Sequence, residues 1–125
     1  MNAHPLRLML LAALLTGCAH RSKSSVDVVP EEDWTLTVNN HHWLDVSVFV
    51  LYDGGRTRVG TVAATHHETY TLPFRMITSG RSVQFEANPI GATRNVRTEA
   101  LLVRGGGHVE WTLESGLERS SVAIW

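Results

Sequence analysis

The sequence predicts an all-β protein, folded as a single antiparallel β-sandwich of seven or eight short strands. From position 34 onward, apolar and polar residues alternate with a period of two, which is the spacing of a strand with one buried face. Turn signals rich in glycine separate the alternating segments. No eleven-residue window has the i, i+3, i+4, i+7 apolar spacing of an amphipathic helix. Short strands with regular turn signals are typical of a sandwich.

The predicted strands follow one another along the chain. The first alternates apolar residues with threonines, and the second is apolar on both faces, which is typical of a strand in the middle of a sheet. The third has Gly60 between valines of opposite phase, which predicts a β-bulge, and the fourth ends at Pro73. The predicted segments are 34–38, 46–52, 59–62, 70–72, 83–87, 98–103, 109–113 and 122–125.

Two glycine-rich segments are predicted to be turns. Asp53-Gly54-Gly55 separates the second and third strands, and glycine accepts the positive φ that tight hairpins require. The three glycines at 105–107 lie between the strands that end at Val103 and begin at Val109. Both segments therefore support short connections between strands.

The predicted core is modest but sufficient for two sheets. The immunoglobulin pattern of two cysteines around a tryptophan is missing, so an immunoglobulin-like and a transthyretin-like architecture are equally compatible with the sequence. The side chains expected to fill the interior are Trp34, Val48, Val50, Phe85, Leu101, Trp111 and Leu113.

Composition excludes several classes of function. The chain has 125 residues, which fits one domain, and a net charge of −1, which argues against binding to nucleic acid. Its single cysteine can form neither an internal disulfide nor a cysteine-rich zinc site. The arginines are scattered over turns and strands, which favours a solvated surface with some cross-strand pairs.

The first residues have the pattern of a secretory signal. Arg7 precedes an unbroken apolar run at 8–15, with no acidic residue before Asp27. Such a run is about 12 Å long as a helix, whereas the hydrocarbon core of a membrane is about 30 Å thick. A basic start, a short apolar segment and small residues together predict a signal peptide rather than a spanning helix.

The end of this segment, Leu15-Thr16-Gly17-Cys18, resembles the lipobox of bacterial lipoproteins. The resemblance implies cleavage before Cys18, a diacylglycerol on its thiol and a fatty acyl chain such as palmitate on its new amine. Several acyl chains would anchor the protein stably to a membrane. In that family, a residue such as Ala19 rather than aspartate after the cysteine implies the outer membrane, facing the periplasm.

The lipobox divides the chain into three predicted parts. Residues 1–17 are the signal peptide, 18–33 are a polar, lipid-anchored flexible tether, and 34–125 are the β-sandwich domain. The valines at 26, 28 and 29 leave open a short additional strand within the tether. The tether would reach about 50 Å when fully extended.

A possible binding surface lies in the polar loop after the first strand. Trp43 follows His41 and His42 there, and exposed aromatic residues beside polar groups are common in protein-binding surfaces. The alternative is that Trp43 folds back over the end of the sandwich, with the preceding asparagines forming the turn.

The histidine pairs define a second alternative, a periplasmic metal-binding protein. Imidazoles bind zinc, copper and nickel, and the candidate ligands are His41, His42, His66 and His67. Adjacent residues of a strand point to opposite faces, so the pairs could chelate only if their loops met at one end of the sandwich. Because the sequence does not require this meeting, no metal ligand is assigned.

No catalytic motif occurs in the chain. It has no G-x-S-x-G elbow, no H-E-x-x-H helix and no phosphate-binding loop, so we expect neither catalysis nor a cofactor. The sequence predicts an envelope lipoprotein with a non-enzymatic protein-binding or structural module. Its expected partners are the membrane, through the lipid, and an envelope protein.

Overall fold

The computed structural model describes residues 31–78 and 81–125, which form two β-sheets. These residues contain no α-helix and only one 3₁₀ turn, at Phe74–Met76. The strands are β1 (Trp34–Asn40), β2 (Val46–Tyr52), β3 (Gly55–Val62), β4 (His67–Leu72), β5 (Gln84–Pro89), β6 (Val96–Arg97), β7 (His108–Leu113) and β8 (Ser120–Ile124). The described residues include no helix that is both long and apolar enough to cross a membrane.

Each sheet has four strands. The first sheet has the order β4-β1-β7-β8, and the second has the order β3-β2-β5-β6. The predicted all-β class is therefore confirmed, and β2 lies in the interior of its sheet as its apolar faces indicated.

The prediction of a wholly antiparallel sandwich is wrong at one pair of strands. β1 and β7 run parallel, with Leu36 opposite Val109 and Val38 opposite Trp111. Alternation with period two specifies which side chains face the core, and it is the same for a parallel and an antiparallel neighbour. The direction of this pair depends on how the chain crosses between the sheets, which the pattern does not encode.

The core lies between the two sheets and is centred on three aromatic rings. Phe85 of the second sheet contacts Trp34 and Trp111 of the first, with ring centroids 5.9 and 6.0 Å apart. All seven side chains predicted for the interior are buried, which confirms the predicted core. Burying a large side chain stabilises the folded state by roughly 1.5–3 kcal/mol, so these rings are major contributors to stability.

The bulge predicted near Gly60 is present in β3. The register against β2 shifts between Val48, which is opposite Gly60, and Phe49, which is opposite Arg58, so Val59 is the extra residue. Gly60 also has a packing role, because a Cβ there would lie 2.7 Å from Cε1 of Tyr70. A glycine at this position allows the ring of Tyr70 to contact the backbone of β3.

The predicted turns form as expected. Asp53 and Gly54 both have positive φ, 52° and 74°, which is the conformation of the tight hairpin between β2 and β3. Gly106, with a φ of 72°, makes the turn before β7.

The strand predicted at 98–103 does not form. The short strand β6 ends at Arg97, and further along only Leu101 pairs, in an isolated bridge to Val83. Thr98 explains the ending, because its hydroxyl accepts a hydrogen bond from the backbone N–H of Phe85 at 2.9 Å. The backbone N–H of Phe85 in β5 is therefore bonded to a side chain, whereas a continuing strand would have bonded it to a backbone carbonyl oxygen.

Contacts with the domain begin just before the predicted boundary at residue 34. The N–H of Gly106 donates to the carbonyl oxygen of Asp33 at 3.2 Å, and Oδ1 of Asp33 accepts from the N–H of Phe74 at 3.0 Å. The predicted signal peptide, the lipobox with Cys18 and the tether up to residue 30 lie outside the described residues.

Candidate binding surface

An exposed tryptophan stacks on a buried histidine after β1. The ring of Trp43 is 68% exposed, whereas His42 is 4% exposed. Their ring centroids are 4.0 Å apart, with an interplanar angle of 26°. We call the segment His41–Trp43 the Trp43 surface. Of the two orientations considered for Trp43, the structure has the exposed one.

Asn40 holds the Trp43 surface in place from below. Its side chain is fully buried, and its Nδ2 donates to the carbonyl oxygens of Leu44 and Ala63 at 2.9 and 3.1 Å. Its Oδ1 accepts from the N–H of His42 at 3.0 Å. Buried polar groups are costly unless hydrogen-bonded, so these bonds fix the loop to the domain.

The two histidines of this surface have different environments. Nδ1 of His42 accepts a hydrogen bond from the N–H of Leu44 at 3.0 Å, which places the ring proton on Nε2. His41 is exposed, and its Nδ1 lies 3.5 Å from Oε2 of Glu114. The surface therefore combines the exposed ring of Trp43 with the exposed imidazole of His41, which could contact a binding partner in place of Glu114.

The two histidine loops do meet at this end of the molecule. The N–H of Asn40 donates to the carbonyl oxygen of His66 at 2.9 Å, and the N–H of Thr65 donates to that of His42 at 3.2 Å. Both contacts are between backbone groups. Within residues 31–78 and 81–125, no three His, Cys, Asp or Glu side chains are grouped so that they could hold a metal ion.

The Trp43 surface lies at the far end of β1 from the point where the N-terminal segment enters the domain. Asp33 contacts Gly106 at the start of β1, whereas the surface follows Asn40 at its end. At about 3.3 Å per residue, β1 separates the two by roughly 20 Å. A membrane anchor on the N-terminal side would thus leave Trp43 accessible.

A second polar cluster lies on the outer face of the second sheet. Glu86 is buried, and its Oε1 accepts from Nη2 of Arg56 at 2.8 Å while its Oε2 accepts from Nη2 of Arg97 at 2.6 Å. The guanidinium carbon of Arg56 also lies 3.4 Å from the ring centroid of Phe49. The cluster links β3, β2, β5 and β6 across the sheet.

The electrostatics of this cluster argue for a structural role. The hydrogen bond from Arg97 and then the bonds and charge of Arg56 lower the pKa of Glu86, although burial opposes this shift. A carboxylate held in its charged form by two cations is a poor general acid at neutral pH. The two ion pairs of Glu86 link β3, β5 and β6.

Sequence reasoning missed Asn40 and Glu86 as organising residues. Asn40 falls on the same phase as Trp34 and Val38, so a polar residue on the apolar face of the strand was the available signal. Glu86 falls on the polar phase of β5, and only the sheet order shows that arginines flank it on both sides.

Comparisons with known proteins identify no family. No protein-family model and no curated protein matches the chain. A solved NMR structure of a protein from Eubacterium rectale is similar at a TM-score of 0.46 and 14% sequence identity, and the match covers 76% of this chain and 88% of that one.

Proposed function

We propose that this protein is a bacterial envelope lipoprotein anchored by lipid on Cys18, in the outer membrane and facing the periplasm. Its domain binds an envelope protein through the Trp43 surface and catalyses no reaction. The lipobox residues Leu15-Thr16-Gly17-Cys18 support the anchoring, and the following Ala19 supports the outer membrane. An immunoglobulin-like or transthyretin-like arrangement of the sandwich belongs to the same proposal.

The main support for the binding role is that Trp43 is exposed while its ring is held in one orientation against His42. Aromatic residues dominate the binding energy of many interfaces, particularly when they are already held in one orientation. Trp43 stacks on a histidine that is itself hydrogen-bonded to the domain through Asn40. A partner would bury the ring with little further ordering, which lowers the entropic cost of association.

A photo-crosslinking experiment in intact cells tests the binding role. A photoreactive phenylalanine analogue replaces Trp43 in the full chain, and the matched control carries it at Leu102, which is also 68% exposed. We expect one discrete heavier adduct from position 43 and none from position 102. No adduct from position 43, or the same adducts from both positions, would overturn the proposal.

Fatty-acid labelling tests the anchor separately. Cys18→Ser removes the thiol that receives the lipid, so we expect an unprocessed precursor without label. Thr16→Ser, which keeps a small residue before the cysteine, is the control and should remain labelled. Continued labelling of Cys18→Ser would show that the protein is not lipidated at this residue.

A further inference from the structure

The lateral edges of the two sheets differ in how they are protected from pairing with another strand. β3 carries Arg56, Arg58 and a bulge, β4 carries Glu68, and β6 is only two residues long. Charge, irregularity and shortness are the devices by which proteins prevent edge-to-edge association. The edge strand β8, Ser120–Ile124, has neither charge nor irregularity. It contains no charged residue and no proline, and its pairing with β7 is regular.

The free backbone groups of β8 can be identified from its hydrogen bonds to β7. Trp125 and His108 exchange both backbone bonds, at 2.8 and 3.1 Å, and the N–H of Glu114 donates to the carbonyl oxygen of Arg119 at 3.3 Å. Bonding alternates along an antiparallel pair, so the odd-numbered residues of β8 bond to β7. The N–H and C=O groups of Ser120, Val122 and Ile124 therefore point to the open edge, where no strand of the described chain pairs.

We propose that a second copy of this chain pairs with this edge, antiparallel, with Val122 opposite Val122 of the second copy. Ser120 then lies opposite Ile124 of the second copy, and Ile124 lies opposite Ser120 of the second copy. In this register every outward N–H and C=O of the strand finds a partner, which gives six hydrogen bonds around a two-fold axis.

Side-chain positions in this register favour the same partner. On the outer face, Ser121 lies opposite Ala123 of the second copy, and these small residues do not obstruct pairing. Exposed Arg119 lies opposite Trp125 of the second copy, and Trp125 is 65% exposed. A guanidinium can stack on an indole ring, so each interface would gain this contact twice.

In the resulting dimer, the first sheets of the two copies form one continuous eight-stranded sheet. Because a single pair of short strands buries little surface, we expect a weak dimer whose population depends on concentration. Confinement on a membrane would raise that concentration. The pairing uses β8, so it is independent of whether Trp43 binds a partner.

Disulfide trapping tests the register. In Val122→Cys of the full chain, the two thiols lie across the two-fold axis, at a Cα separation of about 5.5 Å that a disulfide can bridge. Mild oxidation of intact cells that produce the variant should give a covalent dimer on a non-reducing gel, whether or not the chain is anchored to a membrane. The controls are the wild-type chain, whose only cysteine is Cys18, and Thr57→Cys on the edge strand β3.

Absence of the Val122→Cys dimer, an equal yield from Thr57→Cys, or trapping of a different protein would each overturn the proposal.

A second variant tests the backbone hydrogen bonds between the two copies without changing a side chain that packs against the core. Ser120→Pro removes one outward N–H per copy at the first residue of the strand, where proline is tolerated. Sedimentation of the full chain in detergent should show at least tenfold weaker dimerisation with an unchanged circular dichroism spectrum, and unchanged dimerisation would contradict the proposal.

Discussion

The two lateral sides of this protein differ in how they join the sheets. On the side of β3 and β4, the ring of Tyr70 lies against Gly60 of the other sheet, and its hydroxyl donates to the carbonyl oxygen of Thr61 at 3.3 Å. On the side of β6 and β8, an ion pair between exposed Arg94 and Glu118 bridges the two sheets' loops. We call these the closed side and the open side.

On the closed side an aromatic ring packs directly against the other sheet, whereas on the open side Val96 and Val122 pack against the core and the loops are linked by an exposed ion pair. Burial, with a smaller contribution from Glu68, raises the pKa of the Tyr70 phenol, as expected for a ring covered by protein. An exposed ion pair contributes little stability, since water and salt screen it. Among the described residues no strand pairs with the outward backbone groups of β8. Three substitutions test how the two sides differ.

The largest effect is expected at Glu86, because it holds the short strand β6 on the open side through Arg97. Glu86→Gln removes the negative charge between two guanidinium groups and should lower the free energy of unfolding by about 2 kcal/mol. Urea denaturation measures the loss. Glu110→Gln, on the outer face of the first sheet beside Asn39, is the control and should lose less than about 1 kcal/mol.

The contribution of Glu86 should also depend on pH. Its pKa is lower in the folded protein than its ordinary value of 4.5, so the stabilisation is present above that pH. As the pH falls through the lowered pKa, Glu86 becomes protonated in the folded protein as well as in the unfolded protein, and the stabilisation is lost. The difference in stability between wild type and Glu86→Gln should be constant near neutral pH and shrink in acid; a difference that grows in acid would be incompatible with the ion pairs.

An intermediate effect is expected at Gly60 on the closed side. Gly60→Ala places a methyl group 2.7 Å from Cε1 of Tyr70, so the ring must move. We expect a loss of about 1 kcal/mol, measured by thermal or urea unfolding, together with a phenol pKa closer to its ordinary value. Gly116→Ala, where nothing lies within 4 Å of the added Cβ, is the matched control. Equal behaviour of the two variants would mean that Tyr70 does not close this side.

The smallest effect is expected at the ion pair of the open side. Arg94→Ala should change the free energy of unfolding by less than about 0.5 kcal/mol, and this small change should diminish further in high salt. A double-mutant cycle with Glu118→Ala measures the coupling directly. A coupling of about 2 kcal/mol would show that the open side is joined as firmly as the closed one.

Much of the fold could be predicted because alternation reports burial directly. The core, the central position of β2, the bulge near Gly60 and both glycine turns follow from side-chain phase or from backbone conformations that few residues adopt. The strand expected at 98–103 was wrong because Thr98 uses its hydroxyl where the pattern implied a backbone bond. Trp43 was a predicted binding residue, and the structure supplied its orientation on His42.

The sequence by itself determined which faces of the strands are buried and where the chain turns, because these depend on each segment's own residues. The resemblance of Leu15-Thr16-Gly17-Cys18 to a lipobox is likewise a property of one short segment. Only the tertiary structure decided the parallel pairing of β1 with β7, the arginines on both sides of Glu86, and the unprotected edge of β8. Each of these depends on which strands become neighbours, and that is set by the joint packing of two sheets rather than by any one segment.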